Sequence, residues 1–364
     1  MLPYWIAFLI AATGALTERS RLPTVGVPRQ RPRGLNGTWW LVAVGLALFI
    51  GLRHEVGGDW GNYLNNFEAL DLASLLQDPF STQFLARDPG YRLFEWLAKQ
   101  AGGGIYIVNL LSASVFSFGL ARFCRALPHP WLALSLAIPY LVIVVAMGYT
   151  RQAVAIGCAM LALTWLQEGR RLRYLLWIAI ASLFHQTALV LAPLGFLATS
   201  RHWVTGMLAS ALALAILLLT AAADSVTRLT SSYLESDYQS EGALIRLLML
   251  AFPAALYFFR RHYFSLSSGS KRLWSWLALG ALILFCAYFF SPSSTALDRI
   301  GLYLIPMQLA VFSHLPQAYS KLCNTKITVL LSLCYAGLTL FVWLFFGHHA
   351  LYWLPYQSLL AVSL

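Results

Sequence analysis

The feature that most constrains this chain is a succession of apolar runs, each long enough to lie across a lipid bilayer. They fall at about 2–16, 38–52, 104–121, 131–148, 150–167, 174–199, 203–222, 243–259, 273–290, 299–315 and 326–346. Roughly 20 helical residues span the hydrocarbon core of a membrane. Inside lipid every backbone N–H and C=O must be bonded within the protein, so runs of this kind fold as helices. Only 11% of the 364 residues are charged. A water-facing domain carries about 25%. The mean hydropathy of +0.67 points the same way, and the 13 Trp and 17 Tyr suit anchoring at the membrane–water boundary. The expected fold is all-α: a single polytopic transmembrane domain over 1–364 with about 10–12 crossings. No repeat of fixed period and no soluble domain interrupts it.

The net charge of +11 would suggest nucleic-acid binding in a soluble protein. Here it is read as basic loops on the cytoplasmic side, with no nucleic-acid partner. The five cysteines (124, 158, 286, 323 and 334) are not closely paired, which supports neither a disulfide framework nor a zinc site. The N-terminus is apolar at once, without a basic leader or a small-residue cleavage site, and reads as a retained first helix.

Two polar breaks orient the chain. Residues 17–37 hold Arg19, Arg21, Arg29, Arg31 and Arg33 and read as a cytoplasmic loop, which places the region 53–103 outside. That outer region carries seven of the fourteen acids and is expected to contain short amphipathic helices. The run 174–199 decides the rest. A single crossing there puts Arg260, Arg261, Lys271, Arg272, Lys321 and Lys326 outside. A hairpin broken near His185 and Gln186 puts them inside, with 17 of the 25 Lys and Arg cytoplasmic and 12 of the 14 acids outside. The broken, re-entrant hairpin is preferred, and its tip should lie inside the membrane. Irregular backbone at that depth survives only when buried in protein or lining a wet cavity.

Several polar groups then gather on the outer face. Arg53, Glu55 and Asp59 crowd a glycine-rich turn before Trp60 and Tyr63; an interfacial loop pairing its own charges is the bland alternative. Tyr149-Thr150-Arg151-Gln152 opens a helix. A cation there opposes the helix dipole, yet helix N–H groups and a guanidinium together make an anion seat. His185 lies in an apolar stretch, where an ionisable side chain is a functional candidate and a proton acceptor near neutral pH. Asp298-Arg299 is placed at the start of a later helix, with Asp298 as its cap and an ion pair between the two as the plain alternative. No P-loop, dinucleotide fingerprint, zinc-protease helix or Gly-x-Ser-x-Gly elbow is present in the sequence.

These residues resemble a known family. Arg53…Val56-Gly57-x-Asp59-Trp60…Tyr63, Asp88-Pro89-Gly90-Tyr91, Tyr149-Thr150-Arg151-Gln152, Phe184-His185-Gln186-Thr187-Ala188-Leu189, Asp298-Arg299-Ile300…Tyr303 and Trp353-Leu354-Pro355-Tyr356 run in the order of the EpsG family, the Wzy-like membrane proteins of bacterial exopolysaccharide and O-antigen synthesis. Trp60 departs from the family's more frequent Tyr but stays aromatic. The resemblance implies a fold like the membrane glycosyltransferases of the C type, in a bacterial inner membrane with its site facing the periplasm. It implies a polymerase that joins undecaprenyl-diphosphate-linked oligosaccharide repeats. In that reading Arg53, Arg151 and Arg299 hold the diphosphate, and His185, Asp59 or Glu55 is the base. Trp60, Tyr63, Tyr91, Tyr149, Gln152 and Asp298 contact substrate. No cofactor is expected, and the residues themselves suggest a metal-independent site, since no clear cation cage is spelled out, although the clustered acids of the first loop leave room for Mg²⁺. Expected partners are the lipid-linked oligosaccharides, membrane lipids, and a flippase and chain-length regulator of the same pathway. A polyprenyl-dependent ligase or other glycosyltransferase, a flippase and a polysaccharide O-acyltransferase are the alternatives.

Overall fold

A computed structural model describes residues 1–18, 34–70, 88–198, 205, 240, 242–291, 293–320 and 322–362. The basic loop from Arg19 to Arg33, residues 71–87 of the outer loop, Lys321 and nearly all of the run 203–222 lie outside the described residues. The rest is helical, and the described residues contain no strand beyond an isolated bridge between Arg53 and Ser358.

Most of the apolar runs among the described residues fold as helices, as expected. Helix α1 spans Leu2–Thr17, with Pro3 in its first turn, where a missing N–H costs nothing. Helix α2 spans Gly37–Gly51, capped by Asn36, whose side chain accepts from Trp39 N at 3.3 Å. Two short amphipathic helices follow in the outer loop, α3 (Trp60–Glu68) and α4 (Pro89–Gln100). They bury Tyr63 and Phe67, and Tyr91, Glu95 and Ala98, at helical spacing. Helix α5 spans Gly104–Ala126. The run 131–148 was expected to be one helix, but it is α6 (Pro130–Ala137) continued by a π-helical stretch, Ile138–Ala146. Pro139 gives the reason: it removes one helical donor and its ring crowds the carbonyl four residues back.

Helix α7 spans Thr150–Gln167 and lies against α5 at van der Waals distance. A Cβ on Gly119 would sit 2.2 Å from Gly157 O, so the contact exists only because both positions lack side chains. Helix α8 (Arg171–Phe184) ends where the sequence predicts a break. His185 is extended, a 3-10 turn runs Gln186–Leu191, and a single helical turn, α9, covers Leu194–Leu197. The second leg doubles back on the first: Tyr174 donates to Leu191 O, and the Arg171 guanidinium lies 5.0 Å from the Phe196 ring centre. The hairpin read from the distribution of basic residues is therefore the observed one.

The second half holds α10 (Ala243–Arg260), α11 (Ser268–Ala287), α12 (Ser294–Gly301), α13 (Ile305–Ala318) and α14 (Thr325–Phe346). Among the described residues four helices, α5, α10, α11 and α14, are long and apolar enough to cross a membrane; α1, α2 and the segment 130–146 are shorter. Arg122 and Arg125 end α5, Arg170, Arg171 and Arg173 join α7 to α8, and Arg260, Arg261, Lys271 and Arg272 join α10 to α11. Arg272 donates to Ala198 O at 3.0 Å, which ties the end of the hairpin to this basic end of the bundle. The opposite end carries the loop between α2 and α5, the start of α7 and the tip of the hairpin.

Candidate functional site

The glycine-rich turn after α2 is a knot of backbone contacts. Gly57 has φ +112°, and a Cβ there would lie 2.3 Å from Met147 O, so only glycine lets the turn rest on the residues that lead into α7. Chain residues 352–359 lace onto the same turn. Gly57 N donates to Tyr352 O, His54 N to Gln357 O, and Leu359 N to Leu52 O, at 2.9, 3.0 and 2.8 Å. Trp353 packs beside Gly58 and Gly148, its indole donating to Ile143 O at 2.7 Å.

Arg53 is the pin of this knot. It is 1% exposed. Its Nε donates to Val56 O (3.1 Å), its Nη1 to Ile50 O (2.8 Å), and its Nη2 to Asn109 Oδ1 (3.3 Å) and Thr150 Oγ1 (2.9 Å). Burial pulls its pKa down to about 10, which leaves it a cation at neutral pH. The guanidinium lies 5.7 Å from the Trp60 ring centre, and Trp60 in turn packs near His54 and Tyr106. Glu55 is exposed, and its ion contact is His54 at 3.9 Å. Asp59 precedes α3 without capping it through its side chain, and its charge is felt at Tyr149.

Between α3, α4 and the start of α7 lies a polar cavity of about 30 Å³, lined by Tyr63, Asn66, Asp88, Tyr91, Arg92, Glu95 and Arg151. Arg151 is in the first turn of α7, as its sequence predicts, and pairs with Asp88 at 2.8 Å. Its guanidinium lies 5.7 Å from the Tyr63 ring centre, and the Tyr63 and Tyr91 rings meet at 5.6 Å. Arg92 pairs with Glu95 at 2.8 Å. Glu95 is 2% exposed, and burial raises its carboxyl above the ordinary range against the opposing pull of Arg92. The Tyr91 hydroxyl is buried without a hydrogen-bond partner. Gly90 seats α4 on the hairpin tip, since a Cβ there would lie 3.1 Å from Leu183 O and from the Phe184 ring.

Arg299 stands on the other side of α7. Its guanidinium stacks 4.4 Å from the Tyr149 ring centre. Gln152 Nε2 donates to Arg299 O at 2.7 Å, and Arg299 Nη1 donates to Gln152 Oε1 at 3.4 Å. Among the described residues no carboxylate lies within ion-pair distance of Arg299. His185, at the hairpin tip, lies within electrostatic reach of both Arg299 and Arg151, and its Nε2 is buried without a partner. Thr187 donates to the Tyr303 hydroxyl at 3.3 Å and ties the tip to the segment after α12.

Sequence similarity names the lineage of this arrangement. The sequence profile of the EpsG family matches residues 38–358. The chain belongs to the EpsG family. No curated protein and no solved structure matches it. EpsG-family membership makes it a membrane protein of polysaccharide synthesis, a glycosyltransferase of the polymerase type.

Against the EpsG-like pattern read from the sequence, the structure gathers Tyr63, Tyr91 and Arg151 around one cavity and Tyr149, Gln152, Arg299 and His185 around another point. Arg53 and Trp60 sit behind them, and Glu55 stays at the exposed rim. Two local expectations are corrected. Asp298 is not a helix cap: α12 starts at Ser294, so Asp298 lies inside it and Arg299 in its last turn. Nor does Asp298 pair with its neighbour; it takes Arg246 in a fork at 2.7 and 3.0 Å, with Ser240 alongside at 3.2 Å. Arg246 was overlooked, although a cation within an apolar helix is itself a signal. Asp88, Arg92 and Glu95 were present in the motif or beside it, but no spacing rule connects them to Arg151, 63 residues away in the case of Asp88.

Proposed function

We propose that this EpsG-family protein lengthens a polysaccharide by moving the growing glycan from one polyprenyl diphosphate onto a new lipid-linked repeat unit, on the extracytoplasmic face. A hydroxyl oxygen of the acceptor sugar attacks the anomeric carbon of the donor. The bond from that carbon to the diphosphate oxygen breaks, the diphosphate keeps the electron pair, and the hydroxyl proton passes to His185 Nε2. The observation that carries this reading is a cation, Arg299, with no carboxylate partner among the described residues, within electrostatic reach of a buried imidazole whose Nε2 has no hydrogen-bond partner among them. A fixed cation near a leaving diphosphate stabilises charge as it develops, and the same diphosphate, arriving near Arg299 and Arg151, offsets the charges that disfavour a proton on the imidazole. Arg151 already has Asp88 to answer its charge, and Arg53 holds four protein acceptors, so Arg299 is the cation assigned to the diphosphate. The extracytoplasmic assignment is supported by the basic residues at the far end of the bundle. In this scheme a flippase supplies the repeat units and a separate regulator sets chain length.

The test is complementation in a polysaccharide-producing host with Arg299→Gln and His185→Ala at matched protein level. Both variants should accumulate single lipid-linked repeats and make no long chains. Persistence of long chains in both would overturn the assignment.

A further inference from the structure

The cavity between α3, α4 and the start of α7 differs in charge from the surroundings of Arg299. Its described lining contains two cations, Arg92 and Arg151, and two carboxylates, Asp88 and Glu95, joined in two ion pairs of 2.8 Å. A site answered within itself in this way gains nothing from a doubly charged anion, which would have to break a pair to enter. Its volume of about 30 Å³ exceeds the roughly 10–15 Å³ that admits one water, which is room for a hydroxyl group. Its walls are the face of Tyr63, the Asn66 amide and two carboxylates, a mixture of aromatic surface, donors and acceptors that suits a neutral polyol. One group remains unanswered. Tyr91, 3% exposed and lining the cavity, has a hydroxyl with no hydrogen-bond partner among the described residues. A buried hydroxyl in that state costs free energy unless something supplies a partner.

We infer that this cavity is a sugar subsite: it receives one hydroxyl of the lipid-linked repeat unit, with Tyr91 Oη as the hydrogen-bonding partner and the Arg151–Asp88 and Arg92–Glu95 pairs as its fixed polar walls. Arg151 belongs to sugar recognition and Arg299 to the diphosphate. The inference rests on the polymerase reading, because it supposes a glycan substrate. It separates two arginines that the sequence groups together.

Purified protein in nanodiscs is titrated with two probes. One is the host's repeat-unit oligosaccharide, released from its lipid by mild acid and carrying no phosphate. The other is farnesyl diphosphate, which has the anion and no sugar. Tyr91→Phe removes only an oxygen that has no partner in the protein, so the fold is retained. It should weaken oligosaccharide binding about fivefold to tenfold, the loss of one hydrogen bond, and leave farnesyl diphosphate binding unchanged. Arg299→Gln should do the reverse. If Tyr91→Phe binds the oligosaccharide as wild type does, or weakens farnesyl diphosphate instead, the sugar subsite is overturned while the polymerase reading stands. Wild-type protein that binds neither probe would overturn both.

Discussion

Arg53→Lys separates a structural arginine from a substrate ligand. The guanidinium makes four hydrogen bonds, to Ile50 O, Val56 O, Asn109 Oδ1 and Thr150 Oγ1, at 2.8 to 3.3 Å. Bonds from a charged donor contribute about 1.5–3 kcal/mol each, so removing all four bounds the loss at roughly 6–12 kcal/mol. Lysine keeps the charge and reaches one or two of these acceptors but cannot fork across them. The remainder, reduced by relaxation, gives an expected destabilisation of about 3–5 kcal/mol, the scale seen when a buried charge loses its partners. Thr150→Val removes a single acceptor and should cost about 1–2 kcal/mol. Combined with Arg53→Lys it should cost little more than Arg53→Lys alone, because both changes break the same bond. Reversible unfolding in mixed detergent micelles measures all three variants, and farnesyl diphosphate binding is read on the fraction that remains folded. The reasoning is refuted if Arg53→Lys unfolds like wild type and loses only diphosphate affinity, since that is how a phosphate ligand behaves.

Two further outcomes follow from the same loop. Gly57→Ala forces a Cβ to within 2.3 Å of a backbone carbonyl at φ +112°, and should destabilise by about 2–5 kcal/mol from strain and overpacking together; a wild-type unfolding curve would show that the turn does not rest on Met147 as described. Glu95 has a carboxyl pKa raised by burial, so its contribution to stability is present at low pH and lost as pH rises through the folded value. Wild type should therefore lose stability relative to Glu95→Gln as pH rises above the ordinary glutamate value of 4.5, and a difference in melting temperature that stays constant with pH would contradict the burial effect.

The architecture was legible because lipid leaves few options. Apolar runs had to be helices, and the position of six basic side chains, from Arg260 to Lys326, was enough to fold the run 174–199 back on itself at His185. The site was legible only in part. Arg151 at a helix start and His185 at a break are local features, and local features can be read from spacing. The partners of Arg151, Asp298 and Arg53 come from elements far along the chain, and no periodicity encodes them. Arg53 shows the difficulty most clearly. In a motif rich in glycine and acids a cation looks available for substrate, yet the fold wraps it in carbonyls and hydroxyls. Asp298 was misplaced for a smaller reason: Ser293 and Ser294 start the helix four residues earlier than the apolar pattern suggests.

The lacing of residues 352–359 onto the turn at 52–57 has a consequence for biogenesis. The turn leaves the ribosome some three hundred residues before the strand-like segment that closes over it, and Tyr4, which donates to Trp353 O, must wait as long. Helices inserted early are thus held in an unfinished arrangement until residues 352–359 have been made. A nascent chain stopped short of Tyr352 carries every side chain we assign to chemistry and still has no finished site. Whether this stitch has been made is therefore what separates an inserted bundle from a finished site.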